Sequence, residues 1–306
     1  MTLAAFQNWV LQTGLAVSLL ILVILVIRRP FARAFGANAA YALWSLPLIR
    51  LCLPGLSVPR NWVPEFMRKT PETTIGGPPF EPTIGALPSI TGEADVFSPT
   101  QIAGPDTIQW GVILIGVWLG VAVLWLGYQL LQQRKFKAHL NAQSSGPVAK
   151  LFTEIERASE TVGLRKAPEV RVALNGTGPL VTGVINPLVV VPNNFAETFN
   201  AEQRHFALVH EFAHIKRRDL WVALATLIFR AVNWPNPLVH YASHKLRGDQ
   251  EAACDAFVVK VTGGETAHSY AETLVKAVRQ EGASNRKTAH LALSLTPTDK
   301  EISKGD

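Results

Sequence analysis

Two long stretches without a charged residue restrict the fold of this chain more than any other feature. The first runs for 19 residues from Trp9 to Ile27, and the second runs for 24 residues from Ile108 to Leu131. Helices of about 20 such residues are long enough to cross a bilayer. A signal peptide is the competing interpretation of the first stretch, but no basic segment precedes it and no small-residue cleavage site follows it. Both stretches therefore predict membrane helices.

A weaker apolar run at 37–56 contains Pro47 and Arg50 and is ambiguous by itself. Basic clusters follow the two strong runs: Arg28, Arg29 and Arg33 after the first, and Arg134, Lys135 and Lys137 after the second. Positive residues favour the cytoplasm, so both clusters are cytoplasmic only if the weaker run also crosses. The sequence therefore predicts a multi-pass protein of the inner (cytoplasmic) membrane. Two transmembrane helices lie in 1–56, a third lies in 107–131, and the N-terminus is outside.

Composition and charge agree with this topology. The segment 57–106 holds nine prolines without a clear periodicity, which predicts an extended extracytoplasmic loop. The segment 51–106 carries 3 basic and 6 acidic residues, whereas 132–306 carries 22 basic and 17 acidic residues. At 48% hydrophobic and 17% charged, the chain is too apolar for an ordinary soluble domain. The net charge of +6 comes without an aromatic-and-basic motif, which argues against direct nucleic-acid binding.

A metal-binding pattern lies in the second half of the chain, at His210-Glu211-Phe212-Ala213-His214. Residues four apart share one face of a helix, so the His210 and His214 imidazoles project side by side. Two imidazoles at that spacing can hold one Zn²⁺, and Glu211 is suited to act as general base toward the attacking water. Asn200, with Gln203 three residues later, predicts the N-terminus of this helix.

A catalytic zinc site needs a third protein ligand, and a second helical stretch offers one. Glu251 and Asp255 are four residues apart in a stretch that ends at Gly263-Gly264. We expect Glu251 to be the third ligand, and Asp255 to accept the free ring N–H of a ligand histidine. The alternative for each carboxylate is a solvated surface position. The small apolar residues between them favour a packed helix, and one Zn²⁺ per chain is expected.

The segment 219–239 between the two halves of this site is apolar enough to suggest a further membrane helix. However, His214 and Glu251 are only 37 residues apart, which is too few for two crossings of about 20 residues each and a turn. A single crossing would separate these two residues by the bilayer. The segment is therefore predicted to lie in the membrane interface, or to dip in and return, in contact with lipid.

The metal-binding pattern and its surroundings resemble a known family. His-Glu-Phe-Ala-His followed by Ile-Lys-Arg-Arg-Asp, together with the stretch 236–255, is similar to the membrane zinc metallopeptidases of the BlaR/MecR antirepressor type, which are gluzincins. The similarity covers about residues 1–280. It implies an α-helical membrane protein with an α+β zincin-like (gluzincin) cytoplasmic metallopeptidase domain at 132–281, followed by a C-terminal tail at 282–306. It also implies zinc on His210, His214 and Glu251, with Glu211 as catalytic base.

The resemblance suggests where a substrate binds. In zinc peptidases of this kind, a strand beside the metal pairs with the substrate backbone, and the resemblance puts the segment 180–192 in that place. The substrate-binding candidates are Leu180, Val181, Val189, Val190 and Val191. An ordinary buried hairpin fits the same residues equally well.

Other polar residues near the motif are candidates for supporting roles. His240, His244 and Arg247 are the candidates for stabilising an oxyanion, and the sequence does not choose between them. His205 and Asp219 flank the motif, and we expect them to be structural or to support a ligand histidine.

These observations favour a membrane-anchored zinc metalloendopeptidase that cleaves a cytosolic or juxtamembrane protein, foremost a transcriptional repressor, in signal transduction. The alternative is a non-proteolytic membrane receptor or scaffold with a structural zinc, which would require four protein ligands. Well-known members of the family continue into a penicillin-binding sensor domain, whereas this sequence ends at Asp306, so the resemblance does not imply β-lactam sensing. Either the sequence is a fragment, or its signal is expected to arrive through the outer loop or another protein. The expected partners are a protein or peptide substrate and membrane lipid, with a homodimer left open.

Overall fold

The computed structural model describes residues 3–53, 110–147, 151–173 and 178–283, and these are mostly helical with one small sheet. The predicted loop at 57–106 and nearly all of the predicted tail lie outside the described residues. In chain order the helices are α1 (Leu3–Phe35), α2 (Ala37–Ala42), α3 (Ser45–Cys52), α4 (Trp110–Gln143), α5 (Phe152–Val162), α6 (Phe195–Thr198), α7 (Ala201–Lys216), α8 (Asp219–Val232), α9 (Pro237–Thr262) and α10 (Ala267–Ala283). The strands are β1 (Ser144–Pro147), β2 (Glu169–Ala173), β3 (Leu180–Thr182) and β4 (Leu188–Pro192).

Two of the described helices are long and apolar enough to cross a membrane. They are α1, over Gln12–Phe35, and α4, over Val112–Ala142, and they contain most of the two uncharged stretches of the sequence. Only 17% of the most apolar window in α1 and 11% of that in α4 is buried. The core helix of a soluble protein would be mostly covered, so these exposed apolar surfaces fit helices that face lipid.

The weaker apolar run at 37–56 forms two short helices rather than one long helix. The chain turns between α2 and α3 at Leu43 and Trp44, and the Trp44 side chain is buried. Helix α2 packs against α1 and α9, and α3 packs against α1. At about 1.5 Å per residue, neither short helix alone reaches the roughly 30 Å of a bilayer core. The three-span topology therefore stays a prediction.

The sheet lies between helices and supports the α7 helix. Its strand order is β1-β2-β4-β3, with a parallel pair β2–β4 at the centre and antiparallel pairs outside. Side chains alternate along β4: Val189 and Val191 face a core that includes α5 and α7, whereas Val190 packs with Phe136 and Leu140 of α4. The C-terminal end of a candidate membrane helix is thereby built into the α+β body.

Helices α8 and α9 form an antiparallel hairpin whose tip reaches the two long apolar helices. The Asn236 side chain caps α9 and donates a hydrogen bond to Ser18 Oγ at 2.8 Å. The Arg230 guanidinium lies 5.2 Å from the centre of the Trp125 ring. Ser18 and Trp125 belong to the two candidate spans. The chain runs away from His214 along α8 and returns along α9 to Glu251. The two halves of the predicted zinc site therefore lie at the same end of the hairpin, opposite its tip.

Candidate metal centre

Helix α7 presents the two histidines of the motif on one face. Its N-terminus carries the predicted capping box, in which the Asn200 side chain accepts from the Gln203 amide at 2.8 Å and the Gln203 side chain accepts from the Asn200 amide at 3.3 Å. Two turns further on, His210 Nε2 and His214 Nε2 are 3.3 Å apart. Glu211 is buried beside them, at 7% exposure.

Helix α9 brings Glu251 to the same point. Its Oε2 atom lies 3.7 Å from His210 Nε2 and 3.6 Å from His214 Nε2. Ligands held about 2.0–2.1 Å from a tetrahedral zinc are about 3.4 Å apart, so a triangle of this size is close to one face of such a tetrahedron. Two imidazoles and one carboxylate therefore fit a zinc ion, and the structure brings together the three residues predicted as its ligands.

Cys254 offers a competing ligand because its Sγ lies within 4.8 Å of the ligand nitrogens of both histidines. However, the thiol is fully buried and donates toward the His210 carbonyl oxygen at 3.7 Å. Burial raises the pKa of Cys254 well above its usual range, which opposes formation of the thiolate that binds metals. Glu251 Oε2 lies 3.7 and 3.6 Å from the two Nε2 atoms, and the pKa of its carboxyl lies below its usual range, so Glu251 is the better candidate for the third donor.

The Nδ1 atom of His214, which is the ring nitrogen that does not face His210, contacts a buried carboxylate. His214 Nδ1 lies 2.8 Å from Asp219 Oδ2, and both side chains are 2% exposed. Arg217 Nε donates to the same oxygen at 3.3 Å. An imidazole whose Nδ1–H bonds a carboxylate presents a bare Nε2 to a metal. Asp219, which the sequence left between a structural and a supporting role, contacts a ligand histidine directly.

The Nδ1 atom of His210 likewise points away from the metal-facing gap and contacts two side chains. Asp255 Oδ1, predicted for this role, is 3.3 Å from His210 Nδ1, and Tyr270 Oη is closer, at 2.8 Å. Tyr270 in turn donates to Asp255 at 2.6 Å. In the sequence, Tyr270 shares helical spacing with Leu274 and Val278, which indicates only an apolar helix face. A tyrosine spaced at helical intervals carries no local signal of such a contact, because the contact depends on how α10 packs against α7.

The electrostatics of the site favour a cation. Burial lowers the pKa of His210, but its hydrogen bonds to Asp255 and Glu251 outweigh burial and raise that pKa to about 10. Burial raises the pKa of Asp255 and of Glu251, but hydrogen bonds to His210 outweigh it, so both carboxyl pKa values lie below their usual range. Without a metal, the site therefore keeps a proton on His210 beside ionised carboxylates, and a divalent cation would replace that positive charge.

A cavity of about 730 Å³ borders His214, one of the three metal-facing residues. Its walls are the end of α4, the strand β3 with the loop that follows it, and the residues His214 and Asp219. Among the described strands, β3 lies at an edge of the sheet, because β4 is the one strand that pairs with it there. Leu180 and Val181 lie on this strand, and Val181 lines the cavity.

The other three substrate candidates lie on β4, which is an inner strand paired with β2 on one side and β3 on the other. Val189, Val190 and Val191 are fully buried. Their backbone groups are used within the sheet, so they cannot pair with a peptide. The structure therefore restricts the predicted strand addition to β3.

The three oxyanion candidates lie at different distances from the site along α9. His240 precedes Glu251 by eleven residues, about 16 Å along the helix, and it contacts Arg230 at 3.1 Å and the Trp234 carbonyl at 2.9 Å. His244 is exposed and precedes Glu251 by about 10 Å. Arg247 lies one turn before Glu251 on the same face, so it is the candidate nearest to the metal-facing residues.

A family model described as BlaR1 peptidase M56 matches residues 8–303. Regulatory protein BlaR1 of Bacillus licheniformis is 31% identical over 166 residues, covering 52% of this chain and 26% of that protein. The methicillin resistance mecR1 protein of Staphylococcus aureus (strain Mu50 / ATCC 700699) is 26% identical over 128 residues, covering 42% and 22%. Regulatory protein BlaR1 of Staphylococcus aureus is 21% identical over 268 residues, covering 84% and 43%.

The chain thus spans less than half the length of each of these relatives. The family match, in contrast, extends over nearly the whole chain and includes both helices of the metal centre. Membership implies a metallopeptidase, in agreement with the chemistry of the donor set. The chain belongs to the BlaR1 peptidase M56 family.

Proposed function

We propose that this protein is a membrane-anchored zinc metalloendopeptidase that cleaves a cytosolic or juxtamembrane protein in a signalling pathway. The observation that carries the proposal is the meeting of His210, His214 and Glu251, whose donor atoms lie within 3.7 Å of one another. Glu211 is buried next to them. Family membership supports the metallopeptidase part.

Zinc is the ion that suits two imidazoles and one carboxylate at these separations. When bound in such a site, zinc acidifies water and polarises the scissile carbonyl group. Asp219 on one side, and Asp255 with Tyr270 on the other, hold the two imidazoles with their Nε2 atoms toward each other.

The proton transfers of the reaction fall to Glu211. As general base it takes a proton from the attacking water, and as general acid it returns that proton to the amine that leaves. Arg247, one turn from Glu251, is the nearest of the candidate groups for stabilising the oxyanion.

An extended segment of the substrate would occupy the cavity beside β3 and add its backbone to that edge strand. Arg134 and Lys137 of α4 line the same cavity. Both follow the apolar stretch of α4 directly, so the cavity lies next to the predicted inner membrane surface. A target that reaches this surface is therefore favoured, and a transcriptional repressor is the leading candidate because the family resembled is of the antirepressor type.

The membrane arrangement is part of the proposal. The N-terminus is outside, the metallopeptidase body is cytoplasmic, and the α8–α9 hairpin dips into the bilayer between α1 and α4. This is supported by the contacts of the hairpin tip with Ser18 and Trp125. It is also supported by Arg230, which is buried and lies over the Trp125 ring, because charged residues within membranes face the interior of the helix bundle.

The proposed function is tested by Glu211→Gln. This change keeps the size of the side chain and removes the base, so zinc content should stay near one per chain while cleavage disappears. The matched control is Glu202→Gln, an exposed glutamate on the same helix, which should cleave like wild type. Comparing cytosolic proteins from cells with each variant identifies the target as a fragment that is made by wild type and the control only. If Glu211→Gln produces the same fragments as wild type, the proposed base is wrong.

A further inference from the structure

Asp249 joins the ligand-bearing helix to the N-terminal helices. It precedes Glu251 by two residues, so it projects from the opposite side of α9. Its carboxylate accepts hydrogen bonds from Arg28 Nη1 of α1 at 2.6 Å and from Trp44 Nε1, between α2 and α3, at 2.8 Å. The Arg28 and Asp249 side chains are 13% and 17% exposed, so this charged pair is largely shielded from solvent.

Three consecutive residues of α9 are thus attached to three different parts of the molecule. Asp249 is held by the N-terminal helices. Gln250, which is 3% exposed, donates to the Asp219 backbone carbonyl at 3.2 Å. Glu251 faces the two histidines. Together these contacts restrain both the rotation of α9 about its axis and its position along that axis at the metal centre.

Helix α2 contacts the other half of the site as well. Arg217, at the end of α7, donates to Asn38 Oδ1 at 2.7 Å and to the Ala253 carbonyl at 3.1 Å. Its guanidinium also lies 5.3 Å from the centre of the Tyr41 ring. Arg217 therefore ties α2 to α9 at the C-terminal end of the helix that carries His210 and His214.

We propose that Asp249 is a positioning residue for the metal ligand Glu251, and that α1 and α2 are a structural part of the catalytic centre in addition to any anchoring role. A site of this kind must hold its ligands to within about 0.5 Å and 10–20°. A helix supported on one face only can rotate by more than that, and the Arg28–Asp249–Trp44 contact supports the opposite face. The expected effect on catalysis rests on the proposed peptidase function. The expected effect on metal binding rests on the metal centre alone.

The experiment uses three variants: Asp249→Ala, Arg28→Ala, and a double variant that exchanges the pair by Arg28→Asp and Asp249→Arg. Arg29→Ala is the matched control, because Arg29 is the adjacent, exposed cation of the same helix. Full-length protein in detergent is loaded with Co²⁺, whose visible spectrum reports ligand geometry, and its affinity for Zn²⁺ is measured against a chelator. Hydrolysis of fluorescent casein gives kcat and KM, and the thermal midpoint shows that each variant is folded.

We expect both single variants to change the Co²⁺ spectrum, and to lower zinc affinity and kcat by about tenfold, as is typical for residues that orient metal ligands. KM should stay within about twofold of wild type, the control should be unchanged, and the exchanged pair should recover most of the loss. Folded single variants with a wild-type spectrum and zinc affinity would overturn the inference. If wild type does not cleave casein while the spectra still differ as expected, the peptidase proposal loses support and the positioning role stands.

Discussion

The contact between His214 and Asp219 gives the sharpest quantitative prediction. Asp219→Asn keeps the shape of the side chain but removes the charge that holds the His214 Nδ1–H at 2.8 Å. Both partners are 2% exposed, so water cannot compensate for the lost negative charge. The amide can also present its NH₂ group to the imidazole and favour the tautomer whose Nε2 carries hydrogen, which cannot bind a metal.

The size of the effect follows from this geometry. A buried hydrogen bond to a charged group contributes about 1.5–3 kcal/mol. At about 1.4 kcal/mol per factor of ten, this corresponds to a loss in zinc affinity of roughly 10- to 100-fold. Asp255→Asn should lose less than tenfold, because Asp255 is 39% exposed and its contact with His210 is longer, at 3.3 Å. Tyr270 also keeps its own 2.8 Å contact with His210 in that variant.

The assay is competition for Zn²⁺ between detergent-purified protein and a chelator of known affinity, with the thermal midpoint of each metal-free variant as the folding control. The order of affinities should be wild type, then Asp255→Asn, then Asp219→Asn. A folded Asp219→Asn protein within twofold of wild type, or a reversed order of the two variants, would show that the buried carboxylate does not control the ligand.

Two further predictions concern the metal-free site and the neighbouring cysteine. In metal-free protein the pKa of His210 is raised from 6.5 to about 10, so its protonation contributes stability that is complete below about pH 6.5 and is lost as the pH rises toward 10. The thermal midpoint of chelator-treated protein should therefore decrease as the pH is raised from 7 to 10, and that of the zinc-loaded protein should decrease less. An equal decrease of both midpoints with pH would contradict this account. Cys254→Ala should retain one zinc per chain and wild-type cleavage, since we assign the third ligand to Glu251; loss of zinc from a folded Cys254→Ala protein would instead support the rival of a closed structural site.

Local sequence patterns were sufficient to predict one half of the metal centre. The spacing of His210 and His214 places them on one helical face whatever the rest of the chain does, and the Asn200–Gln203 capping box is a contact within one turn. The short distance along the chain from His214 to Glu251 also argued against two full crossings by the 219–239 segment, and in the structure this segment forms α8 and the turn into α9.

Features that depend on tertiary packing could not be predicted from the sequence. The role of Tyr270 arises only when α10 lies against α7. The inner position of β4 follows from its parallel pairing with β2, which a run of β-branched residues does not disclose. The break at Trp44 similarly reflects its hydrogen bond to Asp249, 205 residues away in the chain.

X-ray absorption at the zinc edge of purified, detergent-solubilised protein tests the central claim most directly, because it identifies the atoms bound to the metal. We predict one zinc per chain, coordinated by two imidazole nitrogens and by oxygen at about 2.0–2.1 Å, without sulfur. A sulfur ligand at about 2.3 Å, or protein that binds no zinc, would contradict the assignment of His210, His214 and Glu251 as the ligands of a catalytic site.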